Sequence, residues 1–137
     1  MSRWAQLGAV VALAACACGG QPQPAETPET PHVTIRGAAV EVDLARSNAE
    51  QVQGLSDRRD LPWGRGMLFQ YREPRMLAFW MLRMHFPIDI VWIREGRLIG
   101  ISHRVPAPPP DTPPSEPARY GPGELADTVL ELSLIHI

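Results

Sequence analysis

The chain has 137 residues, with 13 Lys and Arg against 15 Asp and Glu, a formal net charge of -2 and 45% apolar residues. Both signs are interspersed, which excludes the basic footprint of a nucleic-acid binder, and the length suits one domain. The only cysteines, Cys16 and Cys18, lie near the N-terminus, which removes disulfides, thiol nucleophiles and cysteine-ligated metals from the rest of the chain.

Residues 1–15 have the layout of a lipoprotein signal peptide. Arg3 gives a positive start, and Leu7 to Leu13 form an apolar stretch far short of the roughly 20 residues that span a bilayer. Leu13-Ala14-Ala15-Cys16 reads as a lipobox, so Cys16 is the expected site of lipidation and the membrane the expected partner. Each buried CH₂ of an acyl chain contributes about 0.8 kcal/mol, so two or three chains anchor firmly. Residues 16–31 are rich in Pro, Gln, Glu and Thr and are expected to be a disordered tether. The expected location is extracytoplasmic. Ala17 stands where an aspartate would favour inner-membrane retention, which points to the periplasmic face of the outer membrane in a two-membrane cell and otherwise to the cell surface.

One domain is expected over residues 32–132. His32 to Arg36 and Ala39 to Leu44 alternate apolar and polar residues, which predicts a hairpin turning at Gly37-Ala38 with Val40, Val42 and Leu44 inward. Ser47-Asn48-Ala49-Glu50 matches a capping box and predicts a short helix that stops by Gly54. Asp57 to Arg65 reads as a loop and Gly66 to Phe69 as a strand. Leu77 to Leu82, apolar throughout, predicts a central strand. Ile88 to Ile93, a turn at Glu95-Gly96 and Arg97 to His103 form a second hairpin. Val105 to Pro122 is proline-rich, a surface excursion that is neither helix nor central strand. Thr128 to Leu132 is the last expected strand. Six to eight strands and one short helix predict a mainly β fold, an antiparallel sandwich or barrel-like domain.

Gln53-Gly54-Leu55, Arg58, Gly66-Met67-Leu68-Phe69, Phe79-Trp80-Met81, Pro87 to Ile93 and Val129-Leu130-Glu131 together resemble the bacterial and archaeal domain of unknown function 192. The resemblance covers about Val33 to Leu132. It implies a compact β fold in proteins that are often secreted or lipid-anchored, and it implies no activity. Ser56 replaces a common Met of the family, and Leu82-Arg83-Met84 replaces a commoner polar run. The family ordinarily continues past Val-Leu-Glu with a Gly-Asp turn. Here Ser133-Leu134-Ile135-His136-Ile137 follows and is expected to be a non-native tail on a truncated domain, leaving the last strand short of a neighbour.

Asp89 is the leading polar candidate, because a strand carboxylate beside Val91 and Ile93 is expected to be buried and to need a partner. Arg58 is the first choice of partner; Arg83 or a backbone N–H near Pro87 are alternatives. His103 is the expected proton-handling neighbour if Asp89 activates water. Glu131 lies between Leu130 and Leu132 and is expected to point to solvent. Trp63, Tyr71 and Tyr120 are aromatics suited to lining a groove for sugar or peptide, whereas Trp80 and Trp92 are expected in the core. Arg58, Trp63, Asp89, His103 and Tyr120 are therefore the candidate binding residues. Met67, Met81, Met84 and His85 raise copper handling, but a single Met-x-x-Met fits core packing better, so no metal or other cofactor is expected. The sequence has no Gly-x-Ser-x-Gly, no His-Glu-x-x-His and no phosphate loop. The expected function is a membrane-anchored module that binds a small ligand or an envelope protein without chemistry. A hydrolase using Asp89 with His103 or Glu131 is the alternative from a different class, and copper handling a third.

Overall fold

The computed structural model describes residues 30–113, 115 and 117–133. The expected signal peptide, the lipid site Cys16, nearly all of the tether and residues 134–137 lie outside the described residues. Strand residues make up 52% of the described residues, and the main sheet curls into a half-barrel. The elements are β1 (His32–Ile35), β2 (Ala38–Ala45), α1 (Asn48–Gln53), β3 (Arg65–Met76), β4 (Phe79–Trp80), β5 (Ile88–Arg94), β6 (Arg97–Val105), β7 (Arg119–Tyr120) and β8 (Leu125–Ser133). Six strands form the main sheet in the order β1-β2-β3-β8-β5-β6, and β4 pairs with β7 in a separate ladder.

Both predicted hairpins form. Arg36 and Gly37 have φ of 48° and 84°, and Glu95 and Gly96 have 50° and 74°. Two consecutive positive φ values make the turn whose twist matches the flanking strands. The first turn lies at Arg36-Gly37, one residue before the expected position, with Ile35 opposite Ala38. The helix is capped as its sequence specifies: Glu50 N–H donates to Ser47 Oγ (3.2 Å) and Ser47 N–H donates to Glu50 Oε2 (2.8 Å). Those hydrogen bonds, the one from the Ser47 backbone foremost, hold the Glu50 carboxyl below its ordinary pKa.

Three expectations change. First, the sheet is mixed. β2 and β3 run parallel, with α1 in the crossover between them, whereas an all-antiparallel sheet was expected. Second, Leu77 to Leu82 is not a central strand. Only Phe79 and Trp80 pair, opposite Tyr120 and Arg119. The segment still alternates: Leu77 and Met81 are buried, Phe79 is half-buried, and Ala78 and Trp80 face outward. It is apolar because it covers a sheet face, and the central place belongs to β8. Third, β8 does not lack a neighbour, since β3 flanks it on one side and β5 on the other. At Gly66 a Cβ would lie 2.5 Å from the Glu131 carbonyl oxygen and 2.8 Å from Leu132 Cδ2. Only glycine permits β3 and β8 to approach so closely there.

The alternation of β8 defines two faces. Leu130 and Leu132 join Val40, Val42, Leu68 and Val91 on one. Here residues of both edge strands, among them Val33 and Ile101, flank a largely apolar trough of about 640 Å³, so the sheet curls around this side. Val129 joins Met67, Phe69, Ile90 and Trp92 on the other. That face is covered by chain between strands: Leu55, Leu61, Leu77, Met81 and Met84 are buried on it. Phe79 sets its ring edge-on to Phe69 (4.9 Å) and Trp92 (5.5 Å), a favourable aromatic geometry.

Candidate functional site

Two carboxylates are buried in the described residues, Asp89 at 3% and Glu131 at 5% exposure. They sit on adjacent strands and opposite faces: Asp89 is in register with Leu132, and Glu131 with Ile90.

Asp89 occupies a β-bulge. Ile88 pairs with Val105 and Ile90 with Ser102, so Asp89 alone stands opposite His103 and Arg104. Arg104 takes a left-handed φ of 48°, and its backbone N–H donates to Asp89 Oδ1 at 2.7 Å. His103 Nδ1 lies 3.8 Å from the same oxygen, with its side chain 63% exposed. Asp89 thus holds the backbone of an irregular strand. The expected partner, Arg58, instead donates to Asp43 Oδ2 at 2.8 Å. Arg83 pairs with Asp57 at 3.0 Å. Asp43 is in register with Met67, on the covered face, so Arg58 approaches the sheet from the side away from Asp89.

Glu131 was expected in solvent and is instead buried on the covered face. Its Oε2 is sealed from water and has no hydrogen-bond partner. An ideal Cβ on Gly54 would lie 3.9 Å from that oxygen and 3.5 Å from Phe69, so the helix C-cap closes over the carboxyl. Burial disfavours the ionised form and raises the Glu131 pKa to about 8, with the positive charge of Arg58 opposing the rise. At neutral pH the group is a protonated carboxylic acid, a hydrogen-bond donor.

Glu131 lies in the floor of a cleft of about 400 Å³, within the range of small-molecule sites. Phe69, Tyr71, Phe79 and Trp80 supply aromatic walls, and Leu55 and Met84 further apolar surface. β3 builds one wall because it continues past its expected end at Phe69. Its ladder with β8 is irregular between Gln70 and Arg75, where Pro74 costs no regular pairing. That bend brings Tyr71 and Arg75 to the cleft, the Arg75 guanidinium resting 4.1 Å from the Tyr71 ring centre. Burial also raises the Tyr71 pKa, opposed by the hydrogen bond with Arg75. Trp80, expected in the core, is 37% exposed at the cleft, with Arg119 5.2 Å from its ring centre.

Of the five candidate binding residues, Asp89 and His103 come together. Arg58 lies under α1, near enough to Glu131 to act on its charge. Tyr120 packs against the covered-face core. Trp63 is 82% exposed before β3 and lines neither cleft. The alternative pairing of Asp89 with Glu131 is blocked by the sheet between them. Met67, Met81 and Met84 are buried in the core and His85 is exposed. Among the described residues no three His, Cys, Asp or Glu side chains come together as a metal site. The signal that locates Glu131 is its strand: Val129 to Leu132 is apolar on both faces, and a charged residue in a strand of that kind has no solvent to reach.

The fold recurs in solved structures. The chain shares 28% identity with a Novosphingobium aromaticivorans DSM 12444 protein of unknown function, at a TM-score of 0.59, over 70% of this chain and 64% of that one. The chain therefore spans under two thirds of that relative. It shares 30% identity with a Sinorhizobium meliloti 1021 protein described as a "putative transcription regulator", at a TM-score of 0.60, over 70% of each chain. No curated protein matches. The model of the DUF192 family, "Uncharacterized ACR", matches residues 31–134, beginning at Pro31, whose carbonyl accepts from Val42 N–H at 2.8 Å; the chain belongs to the DUF192 family.

Proposed function

We propose that this is an extracytoplasmic, lipid-anchored domain that binds a small ligand, without chemistry, in the cleft floored by Glu131. One observation carries the binding reading: a buried carboxyl with one unpartnered oxygen lines an aromatic-walled cleft. An unsatisfied buried polar group costs about 1–3 kcal/mol, and a ligand to which the carboxyl turns to donate recovers part of that cost. The lipobox at Cys16 supports the anchor. The hydrolase reading has weaker footing, since Asp89 already serves the Arg104 backbone and His103 is its exposed neighbour.

Two experiments test this. Feeding cells an alkyne-bearing fatty acid is expected to label the full chain and not its Cys16→Ser variant; equal labelling of both ends the anchor. A thermal-shift screen of the full chain against small metabolites is expected to find ligands that stabilise the wild type and not Trp80→Ala. Ligands that stabilise both equally place binding elsewhere.

A further inference from the structure

The cleft's polar groups divide into those that hold backbone carbonyls and those that do not. Gln51 Nε2 donates to the carbonyls of Ala45 (3.3 Å) and Gln70 (3.1 Å). Gln53 Nε2 donates to the Ser56 carbonyl at 2.8 Å, and Ser56 Oγ to the Leu82 carbonyl at 2.8 Å. These groups hold α1 and the loop after it in place. Arg75 and Arg119 are different. Each lies on a cleft aromatic, and among the described residues neither has a carboxylate within ion-pairing distance. The one acid that lines the cleft is Glu131. The lining is therefore cationic at Arg75, offers a buried carboxyl with one unpartnered oxygen, and is otherwise largely aromatic and apolar.

From this arrangement we infer that the ligand is a small organic acid: its carboxylate meets Arg75 and the Glu131 carboxyl, and its apolar body lies against Phe79 and Trp80. The inference rests on the reading of the cleft as a binding site and names the chemistry that site selects. An organic cation would meet the Arg75 guanidinium in the lining and the positive charge of Arg58 near Glu131. A neutral apolar molecule would leave the Glu131 carboxyl unsatisfied. A carboxylate satisfies both the carboxyl and the guanidinium, and charge-assisted hydrogen bonds of this kind contribute more than neutral ones. Burial and Arg58 from the loop after α1 set the protonation of Glu131, and the Tyr71 phenol on β3 senses its charge. The strand neighbours of Glu131, Met67 and Ile90, carry no charge.

The test compares three probes that share a ring, namely benzoate, benzylamine and benzyl alcohol, by calorimetric titration of the full chain at neutral pH. Benzoate is expected to bind most tightly. Arg75→Gln, a change at an exposed side chain, is expected to weaken benzoate by about tenfold or more. Glu131→Gln keeps a donor on the floor; it is expected to hold benzoate and to lose the weakening that the wild type shows as pH rises past about 8. Benzylamine binding more tightly than benzoate overturns the inference, and so does benzoate binding that is indifferent to Arg75→Gln. Either result leaves the cleft a binding site for another chemistry. If none of the probes binds, the inference falls alone where the metabolite screen still yields a Trp80-dependent ligand, and together with the binding reading where it yields none.

Discussion

Asp89 and Glu131 are carboxylates on neighbouring strands of one sheet, each almost fully buried, and they have opposite fates. Asp89 accepts a backbone N–H at 2.7 Å and has an imidazole 3.8 Å away. Glu131 has an oxygen with no partner and a pKa raised to about 8. Burial alone does not mark a functional carboxylate; the difference is whether the fold uses it. Asp89 is used to hold a bulge. Glu131 has an oxygen that no group of the fold uses, beside an open cleft.

The largest effect that separates the two is pH dependence of folding. The folded-state pKa of Glu131 is raised from 4.5 to about 8. Below 4.5 both folded and unfolded states hold the proton, so the group is neutral to stability. As pH rises from 4.5 toward 8 the unfolded state ionises and the folded state does not, so stability falls, by about 5 kcal/mol across the window, and levels off above it. Denaturant melts of the wild type are expected to show this decline, and those of Glu131→Gln to lack it. Parallel curves for the two proteins would mean that Glu131 is ionised and already satisfied within the fold.

Next comes Asp89→Ala, which strands the Arg104 N–H beside a left-handed backbone and is expected to cost about 3 kcal/mol. Asp89→Asn keeps an acceptor and is expected to restore most of that loss. A neutral effect of Asp89→Ala would free Asp89 for another role and weaken the contrast. A smaller change tests the lid over Glu131. Gly54 has φ 50° and ψ -134°, a conformation costly for any residue with a Cβ, so Gly54→Ala is expected to cost about 1–3 kcal/mol. Smallest is His103→Gln: an exposed imidazole beside an already bonded carboxylate is expected to change stability by under about 0.5 kcal/mol. A larger loss would show a closely coupled Asp89–His103 pair and revive the hydrolase reading.

The contrast between the two acids also marks how far the sequence could be read. Local signals were sufficient for local structure. Ser47 and Glu50 announced the helix cap, and Glu95-Gly96 announced its hairpin, because each rests on contacts within a few residues. The candidate site depends on pairings across the chain. The sequence marks Asp89 as buried, yet its backbone partner lies in a β6 bulge that no local pattern encodes, so the sequence alone points to Arg58 instead. Glu131 is not legible locally, because its setting is made by β3 and β5 on either side and by the α1 C-cap. The Leu77 to Leu82 run looked like a central strand because a cover segment and a buried strand share one apolar composition; only pairing tells them apart.

The protonation state of Glu131 tests the central claim most directly. With carboxyl-¹³C-labelled glutamate, an NMR titration of the full chain follows the Glu131 carboxyl, assigned by its loss in Glu131→Gln. A protonated signal at neutral pH that titrates near 8, far from the ordinary value of 4.5, is expected. Titration near 4.5 would contradict it, because an ionised Glu131 must already have partners that leave no donor for a ligand.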